Sequence, residues 1–314
     1  MITALGVAAS DSACLYVIVS PTGPYFRGES KGISLLAVSD IARTWPGGTG
    51  SYKFGLNYSP GFLPQQMAAK KGYDQVLWLL GDDDAVTEVG AMNIFAVVQR
   101  DDGGIWYRLH IIRSWFTFFF LDVDIITPPL DGTILPGITR ASSLYLVQAH
   151  TDGKISLPGI SPSQKLYTHE RPVTMADLFS WSEQGRLLEV FGVGTAVTVA
   201  AVSRIGYKDR DIVLPSHGLG AIGKGLWSMI SDIQTGKKEF EGWSVAFGVW
   251  KYCQGRSQWV VGAKCTVVWL VKSRSFRVSD CQDSWFFTIN ALLDPTTPLS
   301  APLGADGLYT TSLP

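Results

Sequence analysis

Runs that read as strands alternate with runs that read as helices along this chain, and that alternation constrains its fold more than any other feature. Alternating apolar residues at Leu15-Tyr16-Val17-Ile18-Val19 suggest a strand, closed by a Pro21-Thr22-Gly23-Pro24 turn. Residues 65–72 read as a short helix, with Pro64 suited to the first turn and Gly72 to the stop. A strand is expected at 75–80, with Asp82-Asp83-Asp84 as its loop, and a second at 88–99 ending in Asp101-Asp102-Gly103-Gly104. A loop at 136–142 enters a helix that continues to about His150. Met175, Leu178 and Phe179 recur at helical spacing over 175–183, capped by Thr174. Residues 190–202 are small and β-branched, hence strand-like, and 219–234 form an amphipathic helix ended by Gly236. Strands and helices intermingle without repeats, so the class is α/β or α+β.

A chain of 314 residues buries enough core for one large or two medium domains. Its net charge of −1, with 17% charged residues, offers no basic surface for nucleic acid or an anionic membrane. Cys14, Cys253, Cys265 and Cys281 lack CxxC pairing or histidine spacing, so they read as free thiols and not as a metal site or disulfide framework. The first ten residues lack the basic start of a signal peptide and the arginines of a mitochondrial leader, which makes the cytoplasm the expected location. A mitochondrial location stays open if the natural N-terminus lies further upstream. The apolar stretch 111–126 is interrupted by Arg113, Asp122 and Asp124, so a membrane span is not expected there.

The chemistry centres on Ser51-Tyr52-Lys53-Phe54-Gly55-Leu56-Asn57-Tyr58, a lysine among aromatic residues. A lysine taken alone is a solvated charge. Here Tyr52, Phe54 and Tyr58 are expected to desolvate the amine, which favours the neutral form that attacks an aldehyde. Thr87-Glu88-Val89-Gly90-Ala91-Met92-Asn93-Ile94-Phe95 then places one acid in an apolar run. Leu135-Pro136-Gly137-Ile138-Thr139-Arg140 and Gly192-Val193-Gly194-Thr195-Ala196 are glycine turns. In the first, Gly137 is expected to let the chain turn tightly, so that the Ile138 and Thr139 N–H groups face outward at a helix start. An amine able to form an imine, a carboxylate and two phosphate-cradling turns are the set a pyridoxal-phosphate site requires.

The four pieces in this order resemble the branched-chain amino acid aminotransferases, of the class IV pyridoxal-phosphate-dependent family. Gln164-Lys165-Leu166-Tyr167-Thr168-His169-Glu170-Arg171 and Asp232-Ile233-Gln234-Thr235-Gly236 extend the resemblance. It implies the fold-type-IV, D-amino-acid-aminotransferase-like large domain with the family's small domain missing. It further implies pyridoxal 5′-phosphate carried by Lys53 as a Schiff base, with Lys53 also shuttling a proton. Tyr58 matches the tyrosine that meets the cofactor's phenolic oxygen, Glu88 the acid on the pyridine nitrogen, and Leu135 a leucine packed on the ring. Ile138, Thr139 and Thr195 match the phosphate cradle, while Tyr58, Ala91 and Ala196 fall on the substrate side. The family usually has a threonine where this chain has Ala91, which removes one hydrogen bond to the substrate carboxylate. Val197 and Ala200 replace a cysteine pair of animal members, so no redox switch is expected.

The resemblance implies ping-pong transfer of the amino group of Leu, Ile or Val to 2-oxoglutarate, in a homodimer. Two other readings stand beside it: a catalytically impaired fragment, and a specialised paralogue that supplies a nonproteinogenic amino acid to secondary metabolism. The expected layout is a remnant of the interdomain connection with a first strand at 1–50, and a cofactor-binding domain at 51–245. Residues 104–120 interrupt a family hairpin, and 246–314 form a disorder-prone tail past the family's end. Both extra pieces read as translated intron or read-through, with a lid or a substitute pocket wall as the functional alternative.

Overall fold

The computed structural model describes residues 31–100 and 122–244, and the backbone alone of strand segments at 105–111, 114–120, 245–253, 256–268 and 289–290. The expected strand at 15–19 and turn at 101–104 lie outside the described residues. In chain order the strands begin with β1 (Ile33–Val38), β2 (Gln75–Leu80), β3 (Ala85–Val89), β4 (Met92–Gln99), β5 (Ile105–Ile111), β6 (Ser114–Phe120) and β7 (Val123–Thr127). They continue with β8 (Leu166–Glu170), β9 (Leu187–Gly194), β10 (Thr198–Tyr207), β11 (Arg210–Val213), β12 (Ser244–Cys253), β13 (Arg256–Val268) and β14 (Ile289–Asn290). The helices are α1 (Phe62–Lys70), α2 (Ile138–Thr151), α3 (Met175–Glu183) and α4 (Ala221–Gln234).

Nine strands form one sheet, and six of them close on themselves: β10-β1-β2-β3-β4, with β9 pairing both β4 and β10. The branch β7-β8 leaves the ring at β4, and β11 at β10. Within the ring β1 runs parallel to both β2 and β10, while the β2-β3-β4-β9-β10 pairings are antiparallel.

Burial on both faces of β4 explains why its sequence shows no clean alternation. Ile94, Ala96 and Val98 pack toward the ring's core with Leu35, Leu77, Val190 and Ile205, beneath Met175 and Leu178 of α3. Phe95 and Val97 point the other way, against Phe191, Leu146 of α2, and Leu226, Met229 and Ile230 of α4. Phe95 and Phe191 stack with centroids 5.5 Å apart, and burying a side chain of this kind contributes about 1.5–3 kcal/mol.

Three expected elements differ. The single strand expected over 88–99 is two, β3 and β4, because Gly90 takes φ +54° and reverses the chain at Gly90-Ala91. The strand expected over 190–202 is likewise β9 and β10, joined by Thr195-Ala196-Val197 with Thr198 at φ +60°. The helix expected over 65–72 starts three residues earlier, at Phe62, directly after a 3-10 turn at Ser59–Gly61. Strand β1, not picked out from the sequence, stands between β2 and β10.

Within 104–120, β5 and β6 pair as a two-stranded antiparallel sheet of their own. Beyond 245, β12, β13 and β14 form a separate three-stranded sheet. Among the described residues no helix is long and apolar enough to cross a membrane, and no group of three or more His, Cys, Asp or Glu side chains could hold a metal.

Candidate active site

Lys53 sits in the connection between β1 and α1, followed by a 3-10 turn at Gly55–Asn57. The buried Asn57 fixes this loop from inside. Its Nδ2 donates to the Thr49 and Tyr52 carbonyls, both at 2.7 Å, and its Oδ1 accepts from Thr49 Oγ1 at 2.8 Å. Lys53 is exposed, with Nζ 4.4 Å from the centre of the Tyr58 ring. The expectation that Tyr52 and Phe54 bury this amine is not met. Those two rings stack on each other at 5.4 Å and are 44% and 51% exposed. The two rings, at i and i+2, meet each other across Lys53 instead of closing over it.

Glu88 is the opposite case. It lies in β3 and is 2% exposed. Its Oε2 is 2.8 Å from Arg43 Nη2, and its Oε1 accepts from the Leu135 N–H at 2.7 Å and, at 3.5 Å, from Asn93 Nδ2. Burial pushes the carboxyl up to about 7, against the pull of Arg43, the Leu135 N–H and Lys53 in the other direction. Asn93 Nδ2 also donates to the Leu135 carbonyl at 2.9 Å, so Leu135 is held at both backbone polar groups.

Two residues on from Leu135, helix α2 begins with Gly137 as N-cap and no capping side chain. The starts of α3 and α4 are closed by side chains. Thr174 and Asp177 form a capping box on α3, and Glu189 accepts the Ile222 and Gly223 N–H groups of α4 at 2.9 and 3.0 Å. Gly137 has φ −68° and ψ 134°, a conformation open to any residue, so the tight-turn role expected of it is corrected. Its requirement is space, because a Cβ here would collide with Asn93 Oδ1.

A cavity of about 390 Å³ opens at this helix start. Of the expected site residues, Lys53, Ala91, Leu135, Ile138, Thr139, Thr195 and Ala196 line it. They converge because the β4–β9 register sets Asn93 against Val193, which brings the turns at 90–91 and 195–197 to one end of the ring. Tyr58 meets this group through Lys53, whereas Glu88 stands one layer behind the wall, bonded to the lining residues Leu135 and Asn93. Sequence reasoning missed Asn93 and Arg43. An asparagine in the otherwise apolar Met92-Asn93-Ile94-Phe95 was a readable signal, while Arg43 carried none.

The amino-transferase class IV family model matches residues 4–205 of the chain. The chain belongs to the class IV aminotransferases. It is 42% identical over 245 residues to the mitochondrial branched-chain-amino-acid aminotransferase of Schizosaccharomyces pombe, covering 77% of this chain and 51% of that protein. It is 38% identical over 243 residues to the cytosolic one of Saccharomyces cerevisiae, covering 76% of this chain and 57% of that protein. The chain thus spans about half the length of these relatives. A crystal structure of a branched-chain amino acid aminotransferase from Escherichia coli is 21% identical, with a TM-score of 0.50 over 71% of this chain and 58% of that one, and shares the fold.

Class IV aminotransferases depend on pyridoxal phosphate. The residues around the cavity fit such a group. The open start of α2 offers backbone N–H donors, and the buried Thr139 Oγ1, on the cavity wall, has no hydrogen-bond partner. An anion at this position would satisfy both.

Proposed function

We propose that this chain carries the cofactor site of a branched-chain amino acid aminotransferase, one that moves the amino group of Leu, Ile or Val to 2-oxoglutarate. The observation that carries this reading is the meeting of Lys53 with the open start of α2 and the Thr195 turn around one cavity. Its relatives at about 40% identity, named for that reaction, support the choice of substrates.

When bound, pyridoxal phosphate supplies an aldehyde and an electron-withdrawing ring that stabilises a carbanion at the substrate Cα. In this reading the Ile138 and Thr139 N–H groups, with the Thr139 and Thr195 hydroxyls, bind the phosphate. Leu135 would pack on the ring, and the Tyr58 hydroxyl would meet the phenolic oxygen. Lys53 Nζ would tether the cofactor and would carry a proton to and from the substrate Cα. Glu88 would hold a proton on the ring nitrogen. The Ala196 N–H receives the substrate carboxylate. At Ala91 no hydroxyl assists it, which is worth about 0.5–1.5 kcal/mol of substrate binding.

We take the working assembly to be a homodimer, as the family resemblance implies. Trp45, Phe54, Leu56, Phe62, Leu63 and Met67, all 40–72% exposed within one stretch of chain, supply apolar surface for it.

The test is spectroscopic. The purified chain given pyridoxal phosphate should develop the visible absorbance of lysine-bound cofactor, and Lys53→Ala should not. Identical spectra for the two proteins would remove Lys53 from its role. Absorbance without transamination of leucine would identify an impaired chain that keeps the site.

A further inference from the structure

We propose that Arg43 is a positioning residue for this site: its guanidinium favours the ionised form of the buried Glu88 carboxyl and fixes its orientation, so that Glu88 can hold a cationic ring nitrogen. The inference rests on the functional reading above and concerns a residue outside the cavity wall.

Arg43 is 4% exposed, and its Nη2 lies 2.8 Å from Glu88 Oε2. The same nitrogen reaches the Thr133 carbonyl at 3.4 Å, which Thr44 Oγ1 also approaches at 2.5 Å. The arginine is thereby tied to the loop that leads through Leu135 into α2. Its Nε is buried with no hydrogen-bond partner. The contact is therefore one-sided, through Nη2 alone, and not a two-pronged fork. What the arginine offers at this depth is a cation set against one carboxylate oxygen.

The groups facing Glu88 are few. Arg43 approaches from the 39–50 segment, Lys53 acts on it from the next loop, the Leu135 N–H comes from the loop before α2, and Asn93 from β4. Arg43 and Lys53 are the charged ones. Lys53 is exposed and committed to the cofactor in this reading, which leaves Arg43 as the permanent cation. A protonated Glu88 could not hold a positively charged ring. Burial works against the ionised form of Glu88, and the Arg43 guanidinium is the foremost group that opposes it.

The experiment follows the Glu88 carboxyl directly in the full chain without cofactor, by infrared titration of the protonated carbonyl band, assigned by its absence in Glu88→Gln. Arg43→Met should move the midpoint upward by at least about one unit, and Arg43→Lys, which keeps a cation, should restore part of that shift. Pyridoxal-phosphate affinity should fall roughly tenfold in Arg43→Met at neutral pH and recover as pH is raised and the Glu88 carboxyl ionises. An unchanged midpoint in a folded Arg43→Met overturns the proposal. If Arg43→Met does not fold, Arg43→Lys decides alone: a midpoint displaced from wild type upholds it, and an identical midpoint with identical cofactor affinity overturns it. Failure of wild type to bind pyridoxal phosphate would sink the functional reading while leaving the carboxyl titration as an independent measure of Arg43.

Discussion

The side-chain amide of Asn93 donates to the carbonyl of Leu135 at 2.9 Å, across 42 positions of sequence. The N–H of the same leucine goes to Glu88. Strands β3 and β4 thus hold the loop that opens α2, and the start of that helix inherits its place from a hairpin.

Asn93→Ala should leave the Leu135 carbonyl without its partner and cost about 1–3 kcal/mol of unfolding free energy, measured by denaturant titration. Asn93→Asp should be worse near neutral pH, because an ionised carboxylate would face the Leu135 carbonyl and Glu88 with no proton to give. A stability equal to wild type in both variants would remove Asn93 from this role.

Gly137→Ala should weaken pyridoxal-phosphate binding at least roughly tenfold, because its Cβ would push Asn93 Oδ1 aside. The same substitution made in an Asn93→Ala background should cost much less. Additive effects in the double variant would show that the two positions act independently.

Glu88 makes stability depend on pH. Its folded-state value is raised from 4.5 to about 7, chiefly by burial, so the native chain holds this proton more tightly than the unfolded one. The stabilising contribution of the protonated form is complete below about 4.5 and is lost as pH rises through about 7, a change on the order of 3 kcal/mol. Glu88→Gln, which cannot ionise, should flatten the decline measured between about pH 5 and about pH 8. The same slope in both proteins would contradict it.

Glu189 closes the start of α4 from β9, and a Cβ on Gly220 would collide with its carboxylate. Glu189→Ala should cost about 1–3 kcal/mol by leaving the Ile222 and Gly223 N–H groups unpaired. Gly220→Ala should destabilise wild type more than it destabilises Glu189→Ala, read by thermal unfolding of the four proteins.

Local chemistry made some of this legible in the sequence. Thr174 with Asp177 announces α3, Pro136-Gly137 announces α2, and the order of Lys53, Leu135, Ile138, Thr139 and Thr195 foretells the lining of one cavity. Other features were hidden where tertiary contacts override local pattern. The strands β4 and β9 are apolar on both faces, so their turns were read as continuous strand. The burial of Glu88 and its pairing with Arg43 depend on 45 positions of separation that no local window spans. The exposure of Lys53 depends on a loop shaped by Asn57, whose three polar contacts have no sequence signature.

Strand β1 meets β10 about 170 positions later in the chain, and that seam completes the six-stranded circuit. A nascent polypeptide emerging from the ribosome must therefore wait for β10 before this circuit can close. Long-range closure of this kind is slow, so synthesis halted short of β10 would yield chains with every upstream motif and an open circuit.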